Sequence, residues 1–165
     1  MSKDQADTQD YVIDEQTIRD QAKVDGITHI STGIAVMRDG KILAVRRAAD
    51  DFLGGSYELP GGGVDDGETL PQSVTRELIE ETGLTLTGIV GMFDGFEYST
   101  PKKPKVRQLN FLVKADGEVA LSEEHDAAEW VDRSNLDALN MTDSMQRCFL
   151  DAMSALDNYV PTRVD

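Results

Sequence analysis

The chain predicts a single domain of α+β or α/β/α type, and three observations point there. Short apolar runs of strand character recur between residues 27 and 131, with one self-capped helix pattern inside that series and another after it. A length of 165 residues suits one domain whose core needs no staples. No internal repeat divides the chain.

From the N-terminus, residues 1 to about 10 form a polar segment expected to be disordered. Residues 11–25 follow as a short element of helical character whose docking the sequence leaves open. Together they make an arm over 1–26, ahead of a main domain over 27–158 and a tail over 159–165. Ile27 to Met37 and Lys41 to Arg47 read as strands joined through Asp39-Gly40, a dipeptide suited to a tight hairpin turn. Tyr57 to Leu59 is a short strand feeding the glycine run from Gly61. After the first helix, Leu86 to Phe96 reads as a strand in which Gly88, Gly91 and Gly95 suggest bends or bulges. Val106 to Lys114 is another, turned by Asp116-Gly117, and Glu129-Trp130-Val131 is the last short strand. A helix from about Asp143 to Leu156, capped at Thr142, closes the domain with Met145, Phe149, Ala152 and Leu156 as its core stripe.

The helix behind the glycine run is the most informative element. Thr69 with Gln72 is a capping-box pair, Pro71 fits the first turn where its missing N–H costs nothing, and Gly83 is a left-handed stop. At about 100° per residue, Glu77, Glu80 and Glu81 share one arc, while Val74, Leu78 and Ile79 are expected to face the core. Carboxylates three or four positions apart repel by roughly 0.2–0.5 kcal/mol per pair, and those in the last turn also face the negative end of the helix dipole. The free helix gains nothing from this crowding. A divalent cation relieves it, because multiply negative oxygen donors suit hard ions such as Mg2+ or Mn2+. The alternative is a merely solvated acidic face, against which stand the cap, the glycine run and Arg76 beside Glu77.

The segment Gly62 to Leu84 resembles the signature of the Nudix hydrolases, G-x5-E-x7-R-E-U-x-E-E-x-G-U with U apolar. Gly62, Glu68, Arg76, Glu77, Leu78, Glu80, Glu81, Gly83 and Leu84 meet every restricted position, and the approach strand Tyr57-Glu58-Leu59-Pro60-Gly61 is similar too. The resemblance implies a mixed β-sheet between helices, and attack of water on a diphosphate phosphorus with Mg2+, or Mn2+ in its place, as cofactor. It implies Glu77, Glu80 and Glu81 as metal ligands with the carbonyl of Gly61, Arg76 as the group orienting them, and Glu68 as a supporting partner. Glu124, six residues before Trp130, stands where some nucleotide-cleaving members supply a further ligand or a base, although the adjacent Glu123 would replace it after a one-residue shift. Arg76, Glu77, Glu80 and Glu124 are thus the catalytic candidates, with Glu77 or Glu124 taking the proton from water.

The formal charge of −15 disfavours duplex nucleic acid and anionic lipid, and no apolar stretch reaches membrane-spanning length. The expected partner is instead a small nucleotide diphosphate derivative. Its negative charge calls for cations beyond the metal, and Arg46-Arg47 and the group Lys102, Lys103, Lys105 and Arg107 could supply them. Arg46, Arg47, Lys103 and Asn140 are the substrate-binding candidates. Cys148, the single cysteine, excludes an intrachain disulfide, fits a reducing cytoplasm and reads as a small buried hydrophobe. The N-terminus has no hydrophobic signal region.

Substrate cues are sparser. Family members cleaving ADP-ribose often carry a proline, and those cleaving dinucleoside polyphosphates a tyrosine, roughly fifteen to eighteen residues past the signature. Pro101 and Tyr98 lie 17 and 14 residues past Leu84, and neither decides the matter. Arg46-Arg47, the Glu124 to Trp130 spacing and Asn140 resemble the branch cleaving (deoxy)nucleoside triphosphates, oxidised purine nucleotides included. ADP-ribose or nucleotide-sugar hydrolysis is the alternative. A non-catalytic ligand sensor of the same fold is a third, disfavoured by the undamaged signature. The oligomeric state stays open.

Overall fold

The computed structural model describes residues 11–159; the disorder expected over 1–10 and the tail from 160 onward fall outside the described residues. The chain runs α1 (Glu15–Val24), β1 (His29–Arg38), β2 (Lys41–Arg47), β3 (Tyr57–Glu58), β4 (Gly61–Gly63), α2 (Leu70–Thr82), β5 (Thr85–Tyr98), β6 (Val106–Asp116), β7 (His125–Val131), a 3-10 turn at Leu136–Ala138 and α3 (Asp143–Asn158).

β1 organises the sheet. Along one edge it runs parallel to β6, from His29 opposite Val106 to Val36 opposite Val113. Along the other edge it is shared: Ser31, Thr32 and Gly33 pair with β4, and Met37 and Arg38 with β2. β2 also pairs with β3 and β7, and β6 with β5, all antiparallel. One parallel pairing among antiparallel ones makes the sheet mixed, as the resemblance implies.

Successive strand residues point to opposite faces, so the apolar strands serve two cores. Ile34, Val36, Leu43, Val45, Phe111 and Val113 cluster with Leu70, Val74 and Leu78 of α2, whereas Ala35, Ile42, Ala44 and Leu112 cluster with Phe149, Ala152 and Met153 of α3. Helix, sheet, helix is the resulting order of layers, an α/β/α sandwich.

The local signals act as their chemistry dictates. Asp39 and Gly40 both take positive φ, 51° and 76°, in the β1–β2 turn. The Thr69 side chain accepts from Gln72 N–H at 3.2 Å, and the Gln72 side chain accepts from Thr69 N–H at 2.9 Å. Gly83 closes α2 at φ 70° with its N–H on Ile79 O. β5 shifts register between Leu86 and Gly88, Ile89 and Gly91, and Phe93 and Phe96, which places irregularities beside the three glycines.

Other features depart from the expectation. Ile79 is 50% exposed rather than in the core, because the buried arc of α2 runs through Leu70, Val74, Leu78, Glu77 and Glu81. Two carboxylates therefore face inward. The glycine run is itself a strand, and β7 begins at His125, before the apolar Trp130-Val131. Residues 15–24 are helical and dock: Glu15 Oε1 accepts Leu70 N–H at 2.7 Å, and Arg19 donates to Glu68 O at 2.8 Å. No helix among the described residues is long and apolar enough to cross a membrane.

Candidate active site

Glycines let β4 slide between β1 and α2. At Gly61, φ is 149° and an added Cβ would fall onto the Thr32 carbonyl oxygen; at Gly62 it would fall onto the Glu77 carboxylate. With no side chains in the way, the backbone lies directly beneath the α2 carboxylates. Gly61 N–H donates to Glu81 Oε2 at 2.8 Å, which ties the strand to the helix.

Arg76 holds the exposed edge of the cluster. Its guanidinium makes a two-pronged contact with Glu68 at 2.7 and 2.9 Å, and donates to Glu77 Oε1 at 2.9 Å, Glu80 Oε2 at 3.2 Å and Gly63 O at 3.0 Å. A fork of five donors fits this task in a way that a lysine ammonium would not. The Arg76 hydrogen bonds hold the Glu68 carboxyl down at about 2, far into its charged form.

The inward carboxylates behave oppositely. Burial raises the Glu77 pKa, with Arg76 opposing that rise. Glu81, with only 6% of its surface exposed, is pushed up to about 9 by burial, reinforced by the negative charges of Glu77 and Glu124. Converging carboxylates that resist ionisation together are a donor set for a divalent cation, and hard oxygen ligands fit Mg2+ or Mn2+. Glu81, Glu124 and His125 each offer a ligand atom, all within 4.8 Å of one another.

A cavity of about 170 Å³ opens at this cluster, lined by Gly61, Gly62, Glu81 and Glu124 together with Arg47, Glu58, His125 and Tyr98. Glu77 lies against Gly62, outside the cavity lining. Glu80 stays exposed beside Arg76, outside the cavity lining. Of the two arginines ending β2, Arg47 lines the cavity, held by Glu58 at 3.2 Å and Asp51 at 3.0 Å. Arg46 turns to Asp126 at 2.7 Å and stacks over Tyr57, away from it. Lys103 belongs to an exposed turn, its ammonium next to Gly63. Asn140 braces β3: its carbonyl accepts Tyr57 N–H at 2.8 Å and its side chain donates to Gly55 O at 3.4 Å.

Glu58 and His125 are cavity residues that motif spacing does not reach. Glu58 sits between Tyr57 and Leu59, both buried, so strand alternation alone turns it to the other face; that signal was readable. His125 Nε2 lies 2.9 Å from Glu58 Oε1, a contact created by β3 and β7 both pairing with β2. Cys148 is buried on α3, with burial raising its thiol pKa and Asn110 donating to its sulfur at 3.3 Å.

Comparison with known proteins agrees with this arrangement. The family model described as "NUDIX domain" matches residues 27–153. An 8-oxo-dGTP diphosphatase of Escherichia coli is 33% identical over 109 residues, spanning 66% of this chain and 83% of that protein. An ADP-ribose pyrophosphatase of Methanocaldococcus jannaschii is 34% identical over 110 residues, spanning 63% of this chain and 62% of its own. Among solved structures, the MutT protein of Methanosarcina mazei superposes with a TM-score of 0.66 at 25% identity, covering 79% of this chain and 96% of that one. With its signature helix, glycine strand and inward carboxylates set in this mixed sheet, the chain belongs to the Nudix family of phosphoanhydride hydrolases.

Proposed function

We propose that this chain is a divalent-cation-dependent pyrophosphohydrolase of (deoxy)nucleoside triphosphates, oxidised purine nucleotides among them, acting in the cytoplasm. The observation that carries the reading is the meeting of Glu81, Glu124 and the Arg47 guanidinium in one cavity over the Gly61–Gly62 backbone. The 8-oxo-dGTP diphosphatase named among its relatives supports the substrate class. At about 170 Å³ the cavity takes a phosphate chain rather than a whole nucleotide, since pockets for drug-sized ligands measure roughly 300–1,000 Å³.

Glu77, Glu80, Glu81 and Glu124, with the Gly61 carbonyl, would hold Mg2+ or Mn2+. When bound, the ion supplies charge withdrawal from the phosphate oxygens and acidifies water. Arg47 binds the phosphate chain, preset by Glu58 and Asp51 so that little side-chain freedom is lost. Glu124 accepts the proton of the attacking water on the oxygen it does not give to the ion: it faces the cavity and has no Lys or Arg partner among the described residues, whereas Glu77 is committed to Arg76.

A turnover screen with Mg2+ across nucleoside triphosphates, oxidised deoxynucleotides, ADP-ribose, nucleotide sugars and dinucleoside polyphosphates tests the reading. Triphosphates should yield nucleoside monophosphate and pyrophosphate fastest. Preference for ADP-ribose would move the chain to the second reading, which the archaeal relative supports. No turnover of any of them would favour a ligand sensor.

On the best substrate, Arg47→Ala should raise KM about tenfold and change kcat little, because the arginine holds phosphate in ground and transition states alike. Lys103→Ala, on the exposed turn, should do less. A larger effect at Lys103 would put the phosphate chain under the 99–107 loop.

Mg2+ or Mn2+ should also raise the melting temperature, since a ligand of the folded state stabilises it by mass action. An excess of a hundredfold over Kd is worth about 2.7 kcal/mol, or roughly 5–10 °C for a domain of this size. Glu77→Gln with Glu81→Gln should erase most of that shift in a thermal melt; an undiminished shift would move the metal elsewhere on this acidic surface.

A further inference from the structure

We propose that His125 ligates the metal through a ring nitrogen, so that the site built on Glu81 and Glu124 mixes one imidazole with its carboxylates. The inference rests on the metal reading above and adds a ligand to it.

Distance comes first. One ring nitrogen of His125 lies with carboxylate oxygens of Glu81 and Glu124, all within 4.8 Å of one another. Donors sharing one ion at about 2.2 Å each are at most roughly 4.4 Å apart, so a few tenths of an ångström of side-chain adjustment gathers them.

Burial and bonding come second. His125 is 5% exposed, and its Nδ1 has no hydrogen-bond partner among the described residues. Buried polar atoms are nearly always paired, so a buried nitrogen without a protein partner is one that a bound ion would satisfy. Nε2 already faces Glu58 Oε1 at 2.9 Å, and Glu58 is in turn braced by Arg47. A carboxylate fixing one nitrogen of a histidine while the other keeps its lone pair is the usual support of a metal-bound imidazole, setting its tautomer and orientation. Glu58 thereby braces both Arg47 and His125.

Nitrogen ligation has a consequence for ion choice. An imidazole donor favours transition ions over Mg2+, in the order in which N/O sites generally rank them. Mn2+ should bind this site at least tenfold more tightly than Mg2+, and the difference should shrink in His125→Asn.

The test is electron spin-echo envelope modulation of the full chain loaded with one equivalent of Mn2+. Modulation from a directly bound 14N is expected in the wild type and in His29→Gln, and should vanish in His125→Asn. His29 is the other histidine, exposed at the start of β1 with its Nδ1 on the Thr28 hydroxyl. Should His125→Asn fail to fold, the wild type and His29→Gln still decide the matter. Bound Mn2+ without nitrogen modulation, or modulation that survives in His125→Asn, overturns the inference and leaves the carboxylate site standing. Failure of the chain to bind Mn2+ at all overturns both.

Discussion

Glu81→Gln should lower kcat by roughly a hundredfold or more while leaving the fold intact. The replacement is nearly isosteric, and the amide oxygen can still accept the Gly61 N–H that Glu81 now receives at 2.8 Å. What disappears is the charge. Lewis-acid help at a phosphate is worth several kcal/mol, and each 1.4 kcal/mol of it is about tenfold in rate. The same substitution should change how the metal-free chain responds to pH. In the metal-free folded chain, burial reinforced by the charges of Glu77 and Glu124 pushes Glu81 up to about 9 from its ordinary 4.5. Between those values the folded state binds more protons than the unfolded one, so stability falls as pH rises. That contribution is complete below about 4.5 and gone above about 9. In Glu81→Gln the slope should flatten, and with EDTA present the variant should gain on the wild type as pH rises. Steady-state rates at saturating Mg2+ and urea unfolding with EDTA at pH 5 and 8 read the two effects. Wild-type turnover in the variant would remove Glu81 from the metal site.

What could be read from the sequence was local, and what could not was pairing. Thr69 with Gln72, Gly83 and Thr142 announce where two helices start or stop because a cap needs only a few neighbouring residues. Asp39-Gly40 announces the hairpin for the same reason. Helical spacing also brings Glu77, Glu80 and Glu81 together, although it does not say that α2 rotates Glu77 and Glu81 inward and leaves Ile79 in water. That rotation follows from Leu70, Val74 and Leu78 meeting the sheet, a contact made by residues distant in sequence. The strand at Gly61–Gly63 has no β-forming side chain at all; its pairing with Ser31–Gly33 is what makes it a strand. β7 likewise extends back through His125-Asp126 because Arg46 and Arg47 offer it a partner edge. Glu58 and His125 meet only after β3 and β7 have both joined β2, so no spacing rule along the chain could have paired them.

Gly61→Ala should cost about 3–5 kcal/mol and with it nearly all activity. Two penalties add. At φ 149° the backbone is in a region open to glycine and strained for any L side chain, a cost of about 1–3 kcal/mol. The new Cβ would also fall on the Thr32 carbonyl oxygen across the β1–β4 pairing, where the neighbour is backbone and cannot swing aside. β4 must then move off β1, and the move takes the Gly61 N–H away from Glu81 and the glycine floor away from Glu77. Activity should therefore fall further than stability explains, even at temperatures where the variant is folded. Gly63→Ala is the control two residues on in the same strand. Its φ is not positive, and a Cβ there meets only the Lys103 ammonium at 3.5 Å, an ordinary contact with a flexible side chain. Thermal melts with turnover measured ten degrees below each midpoint separate the cases: a deep loss at 61 with little change at 63 is expected. Equal effects at the two positions would mean that close approach of β4 to β1 is not what holds the carboxylates in place.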